Sequence, residues 1–308
     1  MRLIESIWTK ARSKIRTIVL PEGDEPRTVA AAEILRKEGL AEPILIGKTF
    51  SWEKKSEYAA ALHELRKAKG LTEEKAARLV ADPMYYGMMM VKMGDADGLV
   101  SGAIHSTGDM LRPALQIIKT KPGMKLVSSS LLMECPNQKL GEDGLLVFAD
   151  CVVNPCPNAE ELAHIAVAAA DTAKRLCGIT EPRVAMLSFS TKGSASHDLV
   201  TKVQLATEIA HGLSPDLLLD GELQLDAALV PEVAALKAKE SLVAGRANVL
   251  VFPDLQAGNI GYKIAQRLGR AVGFAVLQGL AAPCNDLSRG CSIDDLVNTV
   301  AMTAVQAG

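Results

Sequence analysis

Residues 285–295, NDLSRGCSIDD, place a hydroxyl, a guanidinium and two adjacent carboxylates directly ahead of an apolar, helix-like tail. Ser288, Arg289 and Gly290 bring a hydroxyl donor, a fixed charge and free backbone N–H groups. That set suits a phosphate-like anion at a helix start. From Ile293 the apolar positions Ile293, Leu296, Val297, Val300 and Ala304 recur at helical spacing. Ser292 then reads as the N-cap and Asp295 as the third helical residue, an acidic form of the capping box. At about 100° per residue, Asp295 falls opposite the apolar stripe, toward solvent or a ligand. The residue types leave it two roles, helix cap and proton acceptor.

Other strand-to-helix junctions carry related chemistry. In SGAIHSTGDMLRPALQIIKT a helix is expected to open near Asp109, with Arg112 in its first turn. An arginine there opposes the helix dipole, which points to a ligand or to an exposed side chain. His105 of the same loop is a candidate acid–base group. Arg27 in PEGDEPRTVAA begins a helix just after a strand. Arg66 ends YAAALHELRKAKG, where a basic residue before a terminal glycine is also ordinary helix chemistry. Cys291 at a helix start is a candidate low-pKa thiol, although no histidine partner is evident. LSFSTKGSASHD is a hydroxyl-rich loop at a strand end that lacks the GxxxxGK[ST] pattern, and no GxGxxG follows a strand.

These junctions need a scaffold of buried strands. TIVLPEG, EPILIGK, DGLVSGA, LVSSSLLME, GLLVFADC, RVAMLSFS, DLLLDGELQ, NVLVFPD and AVGFAVLQG are short apolar runs alternating with helical stretches, among them a helical region over 54–93. Such runs read as strands buried on both faces, giving a parallel or mixed sheet in an α/β fold with ligands at the carboxyl ends of the strands. KTKPG at 119–123 is the best domain boundary. With 34 basic and 36 acidic residues the chain is not a general nucleic-acid or membrane-surface binder, and 4% aromatics argue against a single-strand stacking platform. Six cysteines without CxxC or zinc spacing read as reduced thiols of a cytoplasmic protein. The first residues do not read as a signal peptide, and no run of about 20 apolar residues spans a membrane.

Five motifs in order, VSGAIHSTGDMLRPALQIIKT, VAMLSFSTKGSASHD, DGELQLDAALVPEVAALKA, ANVLVFPDLQAGNIGYKIAQRLG and QGLAAPCNDLSRGCSIDDLV, resemble the phosphate acetyltransferases over essentially the whole chain. The resemblance implies two three-layer α/β domains of the isocitrate/isopropylmalate-dehydrogenase type with an interdomain cleft. Domain I would comprise 1–122 plus 281–308 and domain II 123–280. It implies acetyl phosphate, CoA or acetyl-CoA and inorganic phosphate as substrates, CoA as co-substrate, no tightly bound cofactor or metal, and a homodimer. The family's catalytic residues fall on Ser288, Arg289 and Asp295, and its substrate-binding arginines on Arg66, Arg112 and Arg27. Two departures stand out: a short connection between ILIGK and KKSEYAAALHELRKAKG, and AVGFAVLQG without a proline often found there.

The implied mechanism is direct attack of the CoA thiolate on acetyl phosphate in a ternary complex, with Asp295 accepting the thiol proton. An ordinary aspartic acid and an ordinary thiol differ enough that this transfer is uphill by about 6 kcal/mol, so nearby arginines must narrow the gap. Alternatives are a phosphate propionyl/butyryltransferase, a non-catalytic acetyl-CoA-sensing domain, and a dehydrogenase of similar fold, against which the lack of a clustered aspartate metal site counts.

Overall fold

The computed structural model describes residues 2–308. The described chain divides into a split unit, 2–122 with 280–308, and a continuous unit, 123–279. In chain order the split unit begins with α1 (Arg2–Ser13), β1 (Thr17–Leu20), α2 (Pro26–Glu38), β2 (Glu42–Leu45), α3 (Lys55–Arg66), α4 (Glu73–Val80), α5 (Pro83–Met93), β3 (Gly98–Ser101) and α6 (Thr107–Pro113). The continuous unit holds β4 (Ser128–Glu134), β5 (Leu145–Ala149), α7 (Ala159–Arg175), β6 (Arg183–Leu187), α8 (Asp198–Leu213), β7 (Leu218–Leu223), α9 (Leu225–Leu229), α10 (Pro231–Lys237), β8 (Val249–Val251), α11 (Leu255–Arg267) and β9 (Val272–Gln278). β10 (Cys284–Asp286) and α12 (Ile293–Gln306) complete the split unit.

The split unit is built on a parallel sheet in the order β10-β3-β1-β2. Side-chain alternation assigns its two faces. Ile18, Gly98 and Asn285 face α12: a Cβ on Gly98 would meet Thr303 Cγ2, and Asn285 Nδ2 donates to Thr303 Oγ1 at 2.8 Å. Val19, Leu99 and Cys284 face α5, where a Cβ on Gly87 would meet Val19 and Leu99 and where Cys284 Sγ reaches Met88 Sδ. α1, α2 and α12 pack together on the first face, and α3, α4 and α6 gather around α5 on the second. Both faces are thus covered, which is why these strands read as unbroken apolar runs.

Local chemistry sets the helix ends. Glu25 caps α2, Pro26 occupies its first turn, and Gly39 closes it with φ 63°. The expected helical region over 54–93 is three helices. A 3-10 turn over Lys67–Lys69, closed by Gly70 at φ 82°, follows the first; Thr72 caps the second, and Asp82 followed by Pro83 starts the third. α6 is followed by a π-turn over Ala114–Ile118.

The continuous unit carries a mixed sheet in the order β7-β6-β8-β5-β4-β9. β4 runs antiparallel to both neighbours and the rest are parallel. α7 and α8 pack on one face and α9 and α11 on the other. Leu131, Met133, Phe148, Leu250 and Phe252 form a core here, with the two phenylalanine rings 5.3 Å apart.

The closeness of α12 to the parallel sheet can be tested at Gly98. Its Cβ would lie 2.8 Å from Thr303 Cγ2 and 2.9 Å from the Pro283 carbonyl oxygen, and the carbonyl cannot rotate away. Gly98→Ala is expected to lower unfolding free energy by about 1–3 kcal/mol in urea titrations.

Candidate active site

All six residues singled out as catalytic or substrate-binding lie in the split unit. At the carboxyl end of β1 stands Glu22, 4% exposed. One carboxylate oxygen accepts from the Gly102 and Ala103 N–H groups at 3.1 and 2.8 Å. The other accepts from Ile104 and His105 N–H, both at 2.9 Å, and lies 2.8 Å from His105 Nδ1. Burial pushes the Glu22 carboxyl up, but the backbone donors of Ile104 and His105, the His105 ring and Ala103 N–H outweigh it and hold it below the ordinary value. The loop after β3 is therefore fixed along its backbone. It delivers the chain to Ser106, which caps α6 through a reciprocal box with Asp109.

Arg27, in the first turn of α2, joins that loop to the turn after β10. Its Nη2 donates to Ala103 O at 2.9 Å, its Nη1 to Arg289 O at 3.0 Å and Cys291 O at 2.8 Å, and its Nε to Glu25 at 2.7 Å. The turn is held from the other side by Leu287 N–H donating to Ser101 O, which extends the β10–β3 ladder. Cys291 N–H closes back on Ser288 O at 2.9 Å. The Ser288 and Arg289 side chains are exposed on this pinned backbone.

The capping box at α12 is present as read from the sequence. Asp295 N–H donates to Ser292 Oγ at 3.1 Å, and Asp295 Oδ2 accepts from Ser292 N–H and Oγ at 2.9 and 2.8 Å. Asp295 is exposed, and its Oδ1 makes no hydrogen bond among the described residues. One oxygen serves the cap and the other faces outward.

Arg66 and Arg112 meet around Tyr85. Arg66 Nη1 donates to Gln116 O at 3.3 Å, and Tyr85 Oη donates to Gln116 Oε1 at 3.0 Å. Burial raises the Tyr85 phenol, while Arg112 and then Arg66 pull it back. Among the described residues neither of these arginines nor Arg289 forms an ion pair with a carboxylate. Among the described residues no hydrogen bond links Arg66 or Arg112 to Ser288, Arg289 or Asp295.

Two expectations change. Arg112 lies in the last turn of α6, because the helix starts at Thr107 and ends at Pro113. The dipole favours a cation there, so no helix penalty marks it as a ligand residue. Cys291 is buried, and burial raises its thiol despite Arg27, which rules against a low-pKa thiol. Arg27, expected among the substrate-binding arginines, spends four of its five N–H donors on protein oxygens. Sequence reasoning missed Tyr85, Gln116, Thr107 and Asp286. TIVLPEG reads as a strand-like run, but nothing in it announces that Glu22 binds a loop 80 residues away.

The carboxyl end of this parallel α/β sheet carries Arg289 without a carboxylate partner, the Ser288 hydroxyl and the N-terminus of α12, a set whose chemistry suits an anion. Comparison with known proteins makes this specific. The family model described as Phosphate acetyl/butaryl transferase matches residues 2–304, and the chain belongs to that family. It is 60% identical to the phosphate acetyltransferase of Thermoanaerobacterium thermosaccharolyticum, covering 100% of both chains, and 54% identical to that of Clostridium acetobutylicum, covering 100% of this chain and 99% of the relative. A phosphotransacetylase crystal structure from Streptococcus pyogenes superposes with TM-score 0.92 at 50% identity, over 99% of this chain and 98% of that one. The first alignment runs over 328 positions against 308 residues here, so at least 20 (328 − 308) fall opposite gaps in this chain.

Glu22→Gln tests the clasp. It puts an amide NH₂ where an oxygen accepts two backbone N–H groups, and is expected to lower unfolding free energy at neutral pH by about 2–4 kcal/mol. Because the folded carboxyl lies below its unfolded value, its contribution is present above about pH 4.3 and is lost as pH falls through the folded value. The stability gap between variant and wild type, read by urea titration, therefore narrows below about pH 4.

Proposed function

We propose that the chain catalyses reversible transfer of an acetyl group between acetyl phosphate and coenzyme A, with inorganic phosphate as the other product. The observation that carries this reading is the full-length likeness to phosphate acetyltransferases, in a chain that keeps Ser288, Arg289 and Asp295 on one pinned turn and helix start.

Asp295 accepts the CoA thiol proton on its free Oδ1. The thiolate forms the carbon–sulfur bond at the acetyl carbonyl, and the bond from that carbon to the bridging oxygen breaks, releasing phosphate. In reverse, a phosphate oxygen attacks acetyl-CoA and Asp295 returns the proton to the departing thiolate. Arg289 holds phosphoryl oxygens through its planar fork, and Arg66 and Arg112 add fixed positive charge. Ser288 donates to the developing oxyanion or to a phosphoryl oxygen. Arg27 contributes by holding the backbone of the turn. CoA is a co-substrate, and the guanidinium groups supply positive charge without a tightly bound cofactor or metal.

The six cysteines are all free thiols, and no helix among the described residues is long and apolar enough to cross a membrane. On that footing we place the enzyme in the cytoplasm, and we read it as a homodimer from the family resemblance.

Thioester absorbance on mixing the protein with acetyl phosphate and CoA tests the reading directly. A rise is expected, larger for acetyl than for propionyl or butyryl phosphate, and no rise would contradict it. Asp295→Asn keeps an oxygen for the cap, so kcat should fall about 10²–10⁴-fold with little change in KM or thermal stability. A loss of stability with near-normal turnover would reduce Asp295 to a cap. Arg289→Lys should cost about 10²-fold in kcat/KM, because a point charge cannot reproduce a two-pronged phosphate contact.

A further inference from the structure

Asp286 ends β10, two residues before Ser288, and pairs in register with Ser101 at the end of β3. Register partners on parallel strands share a face, here the one covered by α5 and α6. Asp286 Oδ2 accepts from the hydroxyl of Thr107, the first residue of α6. Asp286 Oδ1 is buried without a hydrogen-bond partner, and so is Ser101 Oγ on a residue 1% exposed. Two orphan polar atoms on paired positions are unusual, since most buried polar groups find a partner. The backbone is tight around them. Gly102, at φ 118°, comes so close that a Cβ there would lie 2.3 Å from Leu287 O and 2.8 Å from Asp286 Oδ1. Any side chain would force apart the loop that Glu22 holds and the turn that carries Ser288.

We propose that Asp286 is a positioning residue for the anion-binding turn, and that gain or loss of its proton sets how tightly that turn takes a phosphoryl group. The proposal rests on the reading that Ser288 and Arg289 bind that group. Asp286 ties the turn to the start of α6 through Thr107, so the two helix N-termini near the site keep one relative placement. Its negative charge opposes an incoming phosphate, and its proton removes that opposition. Once protonated, the carboxyl also becomes a donor.

Burial favours the neutral form. Burial pushes Asp286 up to about 6 and the nearby Glu22 carboxylate adds to the rise, against the Thr107 hydroxyl and the Leu287 backbone N–H, which favour the ionised form. Other charged or titratable groups close by are His105, bound to Glu22; Arg27, on the same loops; Asp109 of α6; and Cys291 and Asp295 beside the turn.

The test is the KM for inorganic phosphate in the acetyl-CoA-consuming direction, corrected for the ionisation of phosphate, between about pH 5 and pH 8. In wild type it should rise about 3- to 10-fold as pH increases through the Asp286 ionisation. Asp286→Asn, which keeps the shape of the neutral acid, should abolish that rise. Thr107→Val removes a donor that favours the ionised form, so the rise should move to higher pH. His105→Gln separates the neighbouring imidazole and should leave the rise in place. A phosphate KM that does not rise in wild type, a rise that survives in Asp286→Asn, or one that stays at the wild-type pH in Thr107→Val would overturn the proposal, as would its loss in His105→Gln alone. The underlying site reading fails separately, if Arg289→Lys leaves phosphate KM and kcat unchanged.

Discussion

One buried carboxylate organises the candidate site. Glu22 leaves β1 at its carboxyl end and takes hydrogen bonds from four consecutive backbone amides, 102–105, along with a close contact to His105 Nδ1. A loop of small and hydroxyl residues has little of its own to hold it, and backbone amides facing the interior must find acceptors. Glu22 meets both needs. Once that loop is fixed, Ala103 offers its carbonyl to Arg27, and Arg27 reaches the carbonyls of Arg289 and Cys291. The Ser288 and Arg289 side chains thus stand on backbone that is bonded through three segments far apart in sequence. Such preorganisation lets charged donors act in the transition state without first being ordered.

The continuous unit repeats the device. Asp150, just past β5 and 2% exposed, accepts from the N–H groups of Val152, Val153 and Asn154, from the Asn154 side-chain amide and from the Ser129 hydroxyl. Glu222, within β7 and 1% exposed, accepts from Ser190 Oγ, Gly193 N–H and Gln204 Nε2 and gathers the hydroxyl-rich loop after β6. Burial raises the Glu222 carboxyl, but the bonds led by Gly193 N–H more than offset it. In each case a carboxylate at a strand end stands in for the missing partner strand of a loop. The carboxyl edges of both sheets are ordered by the same chemistry, although only the split unit carries Ser288, Arg289 and Asp295.

The long, strongly patterned parts of the chain were legible from sequence. The apolar runs became strands, α2 ended at Gly39, and the Ser292–Asp295 box opened α12, because each signal lies within a few residues of its effect. β10 was not legible: Cys284, Asn285 and Asp286 have neither length nor alternation, and only pairing with β3 makes them a strand. Arg112 was placed in the wrong turn because Pro113, usually a first-turn residue, here ends the regular helix and passes into a π-turn. Glu22, Thr107, Asp286 and Gln116, which bond to distant parts of the chain, act across about 30 to 180 positions, where no local pattern can signal them.

The central claim is that the anion site is built before substrate arrives. Native-state amide hydrogen exchange of residues 102–105 in the substrate-free protein tests it most directly. If Glu22 and Arg27 fix the loop, these four amides exchange as slowly as the core strands β1 and β3 of the same unit. The contrary result is fast exchange in the free protein that slows only when phosphate or CoA is added; substrate, not the clasp, would then build the site.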